Sequence, residues 1–178
     1  ADCGDGRAGS CAESLRSAGL PHARMSPLTG IIEPDPQPVE VTPVARVLMV
    51  IAPTVFRDEE YTHPKAVLEA RGAEVVTASR TPGVCQGKLG MTAKATLAIA
   101  DADATDYDAV VFVGGGGAEV FFDDPDAHRL ARRTLESDRV LGAICIAPSI
   151  LARAGLLHGV RATAFASQHD DLVAHGAI

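Results

Sequence analysis

Four short apolar runs decide what this chain can fold into: Arg46–Ala52, Glu74–Ala78, Asp108–Val113 and Arg139–Ile144. A strand with one wet face alternates apolar and polar residues. Val47-Leu48-Met49-Val50-Ile51-Ala52 does not alternate, so its strand must be covered on both faces. Helical patterns stand between the runs. Glu59 to Arg71 offers Val67, Leu68 and Ala70 for burial and stops at Gly72, a residue suited to the position after a helix end. Asp126 to Glu136 offers Leu130 and Leu135, and a further helix runs from after Cys145 to about Arg153. Gly87 and Gly90 punctuate a hairpin and strand between Gly83 and Ala100. Val160 to Phe165 reads as a last strand and Asp170 to Ala174 as a short helix. Strands alternating with helices at this spacing imply an α/β sandwich with a mainly parallel sheet.

Residues 1–44 follow a different grammar. Gly4, Gly6, Gly9 and Ser10 give way to Glu33-Pro34-Asp35-Pro36-Gln37-Pro38 and then Pro43. Alternate prolines fix φ and remove ladder donors, so this stretch is expected to be an extended tail and linker. Met25 would suit a start codon, which sets residues 1–24 outside the fold. The α/β domain is expected over 45–178.

A net charge of −7 gives no footprint for nucleic acid and disfavours anionic membrane surfaces. The longest nearly uncharged apolar stretch, Val140 to Leu151, is shorter than the roughly 18–20 residues that cross a bilayer. Asp2, Asp5 and Arg7 interrupt the N-terminus where a secretory signal would be apolar. The four cysteines, at 3, 11, 85 and 145, form no C-x-x-C pair. These readings favour a cytoplasmic domain with reduced thiols.

In parallel sheets, chemistry collects at the carboxyl ends of strands. Three features fall there. Cys145 sits at a strand-to-helix junction, with Ala143 two residues before it and Ala147 two after. A nucleophile elbow needs small residues at both places because the chain bends tightly. Pro148 suits the first helical turn. The plainer reading is a buried structural cysteine. Gly114-Gly115-Gly116-Gly117 follows the third run and matches neither a dinucleotide fingerprint nor a phosphate-binding P-loop. It is a tight turn, or an oxyanion hole in which the N–H of Gly115 acts with that of Ile146. Asp58-Glu59-Glu60 follows the first run. Acids there cap a helix, or one of them serves Cys145 as a proton carrier. His63, His128, His158, His169 and His175 lack metal-ligand spacing, so no metal site is expected; His169 or His175 could approach Cys145 as a base.

Together these features resemble the ThiJ/PfpI superfamily over about residues 46–178. The resemblance is carried by Phe56-Arg57-Asp58-Glu59-Glu60-Tyr61 with Pro64, by Tyr107 through Gly115, by Ala143-Ile144-Cys145-Ile146-Ala147-Pro148, and by Leu151 through Gly159. It implies a flavodoxin-like three-layer sandwich, usually dimeric, with Cys145 as nucleophile. Glu60, four residues before Pro64, matches the acid whose proton hydrogen-bonds the thiolate, while Gly115 and Ile146 match the oxyanion donors. Gly114, Gly116, Glu59 and His169 would stand close enough to touch substrate.

The implied activities need no cofactor: conversion of small aldehydes and dicarbonyls, repair of glycated protein, proteolysis, or redox sensing through Cys145. Two departures narrow them. Many relatives place His directly after the cysteine, where this chain has Ile146, and a His found in some relatives about twenty residues on is Phe165 here. A Cys–His dyad is therefore unsupported, which favours a glyoxalase or deglycase over a peptidase. The family pattern also continues into a final strand and helix beyond Gly176-Ala177-Ile178, so the domain is expected to lack those elements.

Overall fold

The structure, a computed structural model, describes residues 44–178 and two short strands that precede them. The chain divides into two compact units, Ala1–Thr42 and Pro43–Ile178. In the first unit, β1 (Ala23–Met25) pairs antiparallel with β2 (Ile32–Pro34). The rest of the expected tail and linker lies outside the described residues.

The second unit is built on a five-stranded sheet: β3 (Arg46–Val50), β5 (Glu74–Ser79), β8 (Leu97–Ala98), β9 (Ala109–Phe112) and β10 (Val140–Ala143). Its spatial order is β10-β9-β3-β5-β8, and every pairing is parallel. The register sets Val47 against both Val75 and Ala109, and Val140 against Ala109, so the four apolar runs of the sequence lie side by side. Leu48, Met49, Val50, Val110 and Phe112 are essentially without solvent contact, as expected for strands covered on both faces. A smaller sheet contains β4 (Thr54–Phe56), β6 (Gly83–Gly87) and β7 (Thr92–Ala95), with β6 and β7 forming the antiparallel hairpin.

Two crossovers leave the centre in opposite directions. β3 passes through α1 (Asp58–Ala70) to β5, and β9 passes through α2 (Pro125–Glu136) to β10. Parallel crossovers are right-handed, so opposite directions put α1 and α2 on opposite faces of the sheet. The result is an α/β sandwich with a mainly parallel sheet. Helix phase corrects two details of the sequence reading. In α2 the buried set is Ala127, Leu130, Ala131 and Thr134, an i, i+3, i+4, i+7 stripe that excludes Leu135. In α1, Tyr61 is buried and Leu68 packs on the core, whereas Val67, one residue out of phase with Leu68, is exposed. Asp124 caps α2 by accepting the N–H groups of Asp126 and Ala127 at 2.9 and 3.2 Å.

Val160 to Phe165 is not a strand. Its backbone bonds go instead to Leu157, to Ile178 and to Cys145, and no neighbouring strand offers it a ladder. Two further α-helices among the described residues are α3 (Pro148–Arg153), which starts three residues after Cys145, and α4 (His169–Ala174). None of the described helices is long and apolar enough to cross a membrane.

Candidate active site

β3 and β9 are neighbours, and the chain leaves them toward opposite edges of the sheet. Such a reversal opens a crevice at the carboxyl ends of the strands. The segments after β3, β9 and β10 converge there, and each brings one part of the site.

The segment after β10 brings Cys145. Its φ is +63°, a left-handed conformation that ordinary side chains avoid. Two overlapping tight turns hold it: Ala147 N–H donates to Ile144 at 3.1 Å around the cysteine, and Ser149 N–H to Ile146 at 3.1 Å just after it. Ala147 has no exposed surface, which is why a small residue is needed there. Local hydrogen bonding thus keeps the cysteine in a strained pose at the mouth of the crevice.

The segment after β9 brings the glycines. Gly115 has φ +90° and lies against the backbone of the first loop: a Cβ on it would stand 2.4 Å from the Arg57 nitrogen and 2.5 Å from the Val55 oxygen. Gly114 accepts the Arg57 N–H at 3.0 Å. Among the described residues, neither the Gly115 N–H nor the Ile146 N–H has a protein acceptor. Both are therefore available to an oxyanion.

The segment after β3 brings the acids. A Cβ on Gly114 would be 2.6 Å from both the Cβ of Cys145 and the Oε2 of Glu60. Those two atoms therefore lie no farther apart than twice that distance, separated only by the missing glycine side chain. Glu60 Oε2 is buried and has no hydrogen-bond partner. An unpartnered buried carboxyl oxygen is costly unless a function or a ligand uses it. Glu59 is turned away into an ion pair with Arg57 at 3.0 Å.

Asp58, the third acid, is structural. Its oxygens accept the N–H groups of Leu89 and Met91, both at 2.9 Å. The Leu89 hydrogen bond is the main cause of a pKa below the ordinary aspartate value; burial opposes it, and the Met91 bond adds to it. This carboxylate pins the β6–β7 turn to the start of α1. Gly87 leaves room for it, since a Cβ there would be 2.5 Å from Asp58 Oδ1.

Around these parts lies a cavity of about 440 Å³ lined by Cys145, Glu60, Gly115, Gly116 and Ile146, together with Arg57, Lys88, Glu119, Phe165, Ser167 and Gln168. His169 lies elsewhere. It lines a second cavity beside Ala162 and Ile178 and pairs with Asp170 at 3.1 Å. No histidine lines the Cys145 cavity. Lys88, Ser167 and Gln168 were not singled out in the sequence; only the glycines flanking the Lys88 turn hinted at a constrained loop. Among the described residues, no group of three or more His, Cys, Asp or Glu is placed to hold a metal.

A strained cysteine at a strand-to-helix bend, a half-buried acid beside it and two amides without protein acceptors thus meet at the carboxyl ends of a parallel α/β sheet. The DJ-1/PfpI family model matches residues 45–178, and this chain belongs to that family. It is 41% identical over 137 residues to an uncharacterized protein of Methanocaldococcus jannaschii, covering 75% of this chain and 67% of that one. It is 30% identical over 129 residues to the deglycase PfpI of Pyrococcus furiosus, covering 72% and 78%. Among solved structures it is similar to a ThiJ/PfpI domain protein of Brachyspira murdochii, with a TM-score of 0.74 at 30% identity over 76% of this chain and 78% of that one.

Proposed function

We propose that this protein is a cysteine-dependent, cofactor-free enzyme of the glyoxalase or deglycase type, acting on small reactive dicarbonyls or their glycation adducts. The observation that carries the reading is the partnerless Oε2 of Glu60, held one glycine's width from Cys145. The name of the deglycase relative supports the same class of chemistry.

In this reading the Cys145 thiolate adds to the aldehyde carbon of a dicarbonyl, and the developing alkoxide takes the N–H groups of Gly115 and Ile146. Protonation of that alkoxide gives a hemithioacetal. Glu60 removes the proton from the former aldehyde carbon, and the electron pair shifts to the neighbouring carbonyl as an enediol. A proton returns to the second carbon while the hydroxyl on the first gives its proton up, which leaves a thioester on Cys145. Water hydrolyses it, releasing the hydroxy acid and restoring the thiolate.

Glu59 and Gly114 are not on the cavity wall, and their part is to shape the loops that form it. A homodimer and a cytoplasmic setting belong to the same proposal, and the mass of the purified protein in solution checks the first. The direct test is lactate formation from methylglyoxal. Wild type is expected to produce lactate, with Cys145→Ser and Glu60→Gln each inactive; equal turnover by wild type and Cys145→Ser would overturn the reading.

A further inference from the structure

Phe165, Ser167 and Gln168 line the same cavity as the oxyanion amides. This part of the wall is not a loose loop. Phe165 N–H donates to the Cys145 carbonyl at 2.7 Å, and Gln168 N–H donates to Phe165 at 2.8 Å. The wall is therefore fixed to the elbow.

Its side chains are ordered from below. Ser149, on the first turn of α3 and wholly buried, donates its hydroxyl to Gln168 Oε1 at 2.8 Å. Asp171, which accepts from Arg153 Nε and Nη2 at 3.2 and 3.0 Å, also stands within reach of the Ser149 hydroxyl. In this arrangement the Gln168 Nε2 donates to Ser167 Oγ at 2.9 Å. An amide nitrogen carries two protons and a serine hydroxyl one. One Gln168 N–H and the Ser167 O–H are left over, on two residues that line the cavity.

The geometry points to Ser167 and Gln168 as a second oxygen site, one that binds the neighbouring carbonyl or hydroxyl oxygen of a substrate whose aldehyde carbon is attacked by Cys145. This rests on the dicarbonyl reading above and narrows its substrate class to compounds with oxygens on adjacent carbons. The Gly115 and Ile146 amides take the first oxygen, and the Ser167–Gln168 pair takes the second. Ser149 acts through Gln168 and is a positioning residue. A monoaldehyde has nothing to offer the second site.

The test follows iodoacetamide alkylation of Cys145 by peptide mass while methylglyoxal or acetaldehyde protects the thiol as a hemithioacetal. Ser167→Ala and Gln168→Met are each expected to weaken protection by methylglyoxal about five- to tenfold, the effect of losing one hydrogen bond. Protection by acetaldehyde, and the pH profile of alkylation without aldehyde, are expected to stay at wild-type values. Equal weakening for both aldehydes, or none for methylglyoxal, overturns the second oxygen site. The two readings fail separately. Selective protection without lactate formation sinks the enzyme and keeps the site, whereas lactate formation unaffected by either substitution does the reverse.

Discussion

Gly114 and Cys145 are packed so closely that a side-chain carbon on the glycine would stand 2.6 Å from the Cβ of the cysteine. The adjacent glycines grade this effect. A Cβ on Gly116 meets nothing nearer than Val55 Cγ1 at 3.9 Å, whereas one on Gly117 would fall 1.8 Å from the Thr54 carbonyl oxygen. Gly116→Ala is therefore expected to leave stability within about 0.5 kcal/mol. Gly114→Ala, which must push the nucleophile and acid apart, is expected to cost about 1–3 kcal/mol and to abolish turnover. Gly117→Ala meets rigid backbone and is expected to be the worst of the three. Urea unfolding of the three variants, with Cys145 alkylation rates, checks the order; a Gly114→Ala protein with wild-type turnover would refute the packing argument.

Asp58 predicts an acid-sensitive anchor for the Lys88 turn. Its folded-state pKa lies below the unfolded value, chiefly through the Leu89 N–H, with burial opposing and the Met91 N–H adding to it. A depressed carboxylate contributes stability that is fully present above its unfolded pKa of about 4 and is lost as pH falls through the lower folded value. Asp58→Asn can accept from one of the two amides but presents an N–H to the other. Its Tm at neutral pH is expected to fall below wild type, and the gap is expected to narrow as the pH drops below about 4. Thermal melts across that range decide the matter, and a gap that stays constant with pH would show that the carboxylate charge is not what holds the turn.

How much of this was legible in the sequence depends on what each residue answers to. The central strands follow from their own composition, because a continuous apolar run such as Val47–Ala52 has one solution, burial on both faces. Val160–Phe165 has strand-like residues too, but a strand also needs a partner, and partners are set by tertiary placement. Leu135 and Val67 are apolar yet exposed because helix phase, not residue type, chose the buried stripe. Cys145, Gly115 and the acids Asp58 to Glu60 could be placed at one end of the sheet because each group follows an apolar run and strand ends converge in a parallel sheet. Glu60 stood out from its two neighbours only through the family resemblance. Ser167, Gln168 and Lys88 are ordinary polar residues on connecting segments, with no periodicity to mark them. Only the folded chain shows that they face the cysteine.

Val55 carries backbone strain of a different kind. It is β-branched, half exposed and has φ +58°, in a parallel pairing whose register breaks between Thr54 and Phe56. A left-handed conformation costs an ordinary residue about 1–2 kcal/mol, while Asn tolerates it. Val55→Asn is expected to stabilise the fold by about 1 kcal/mol and raise Tm by about 3 °C. A lower Tm would mean that the packing of the Val55 side chain against the glycine loop outweighs the backbone cost.

Cys145 sets the same backbone cost against function. Because φ is +63°, replacing the cysteine by glycine relieves the conformation, whereas alanine keeps the Cβ that suffers it. At a position with negative φ, alanine is the more stable replacement, since glycine gives the unfolded chain more freedom to lose. Here the order is expected to invert, with Cys145→Gly more stable than Cys145→Ala by about 0.5–1 kcal/mol. Both proteins lack the thiolate and are expected to form no lactate from methylglyoxal. Denaturant midpoints of the pair measure the strain that the elbow places on its nucleophile, and an alanine variant more stable than the glycine one would show that the surrounding turns do not impose it.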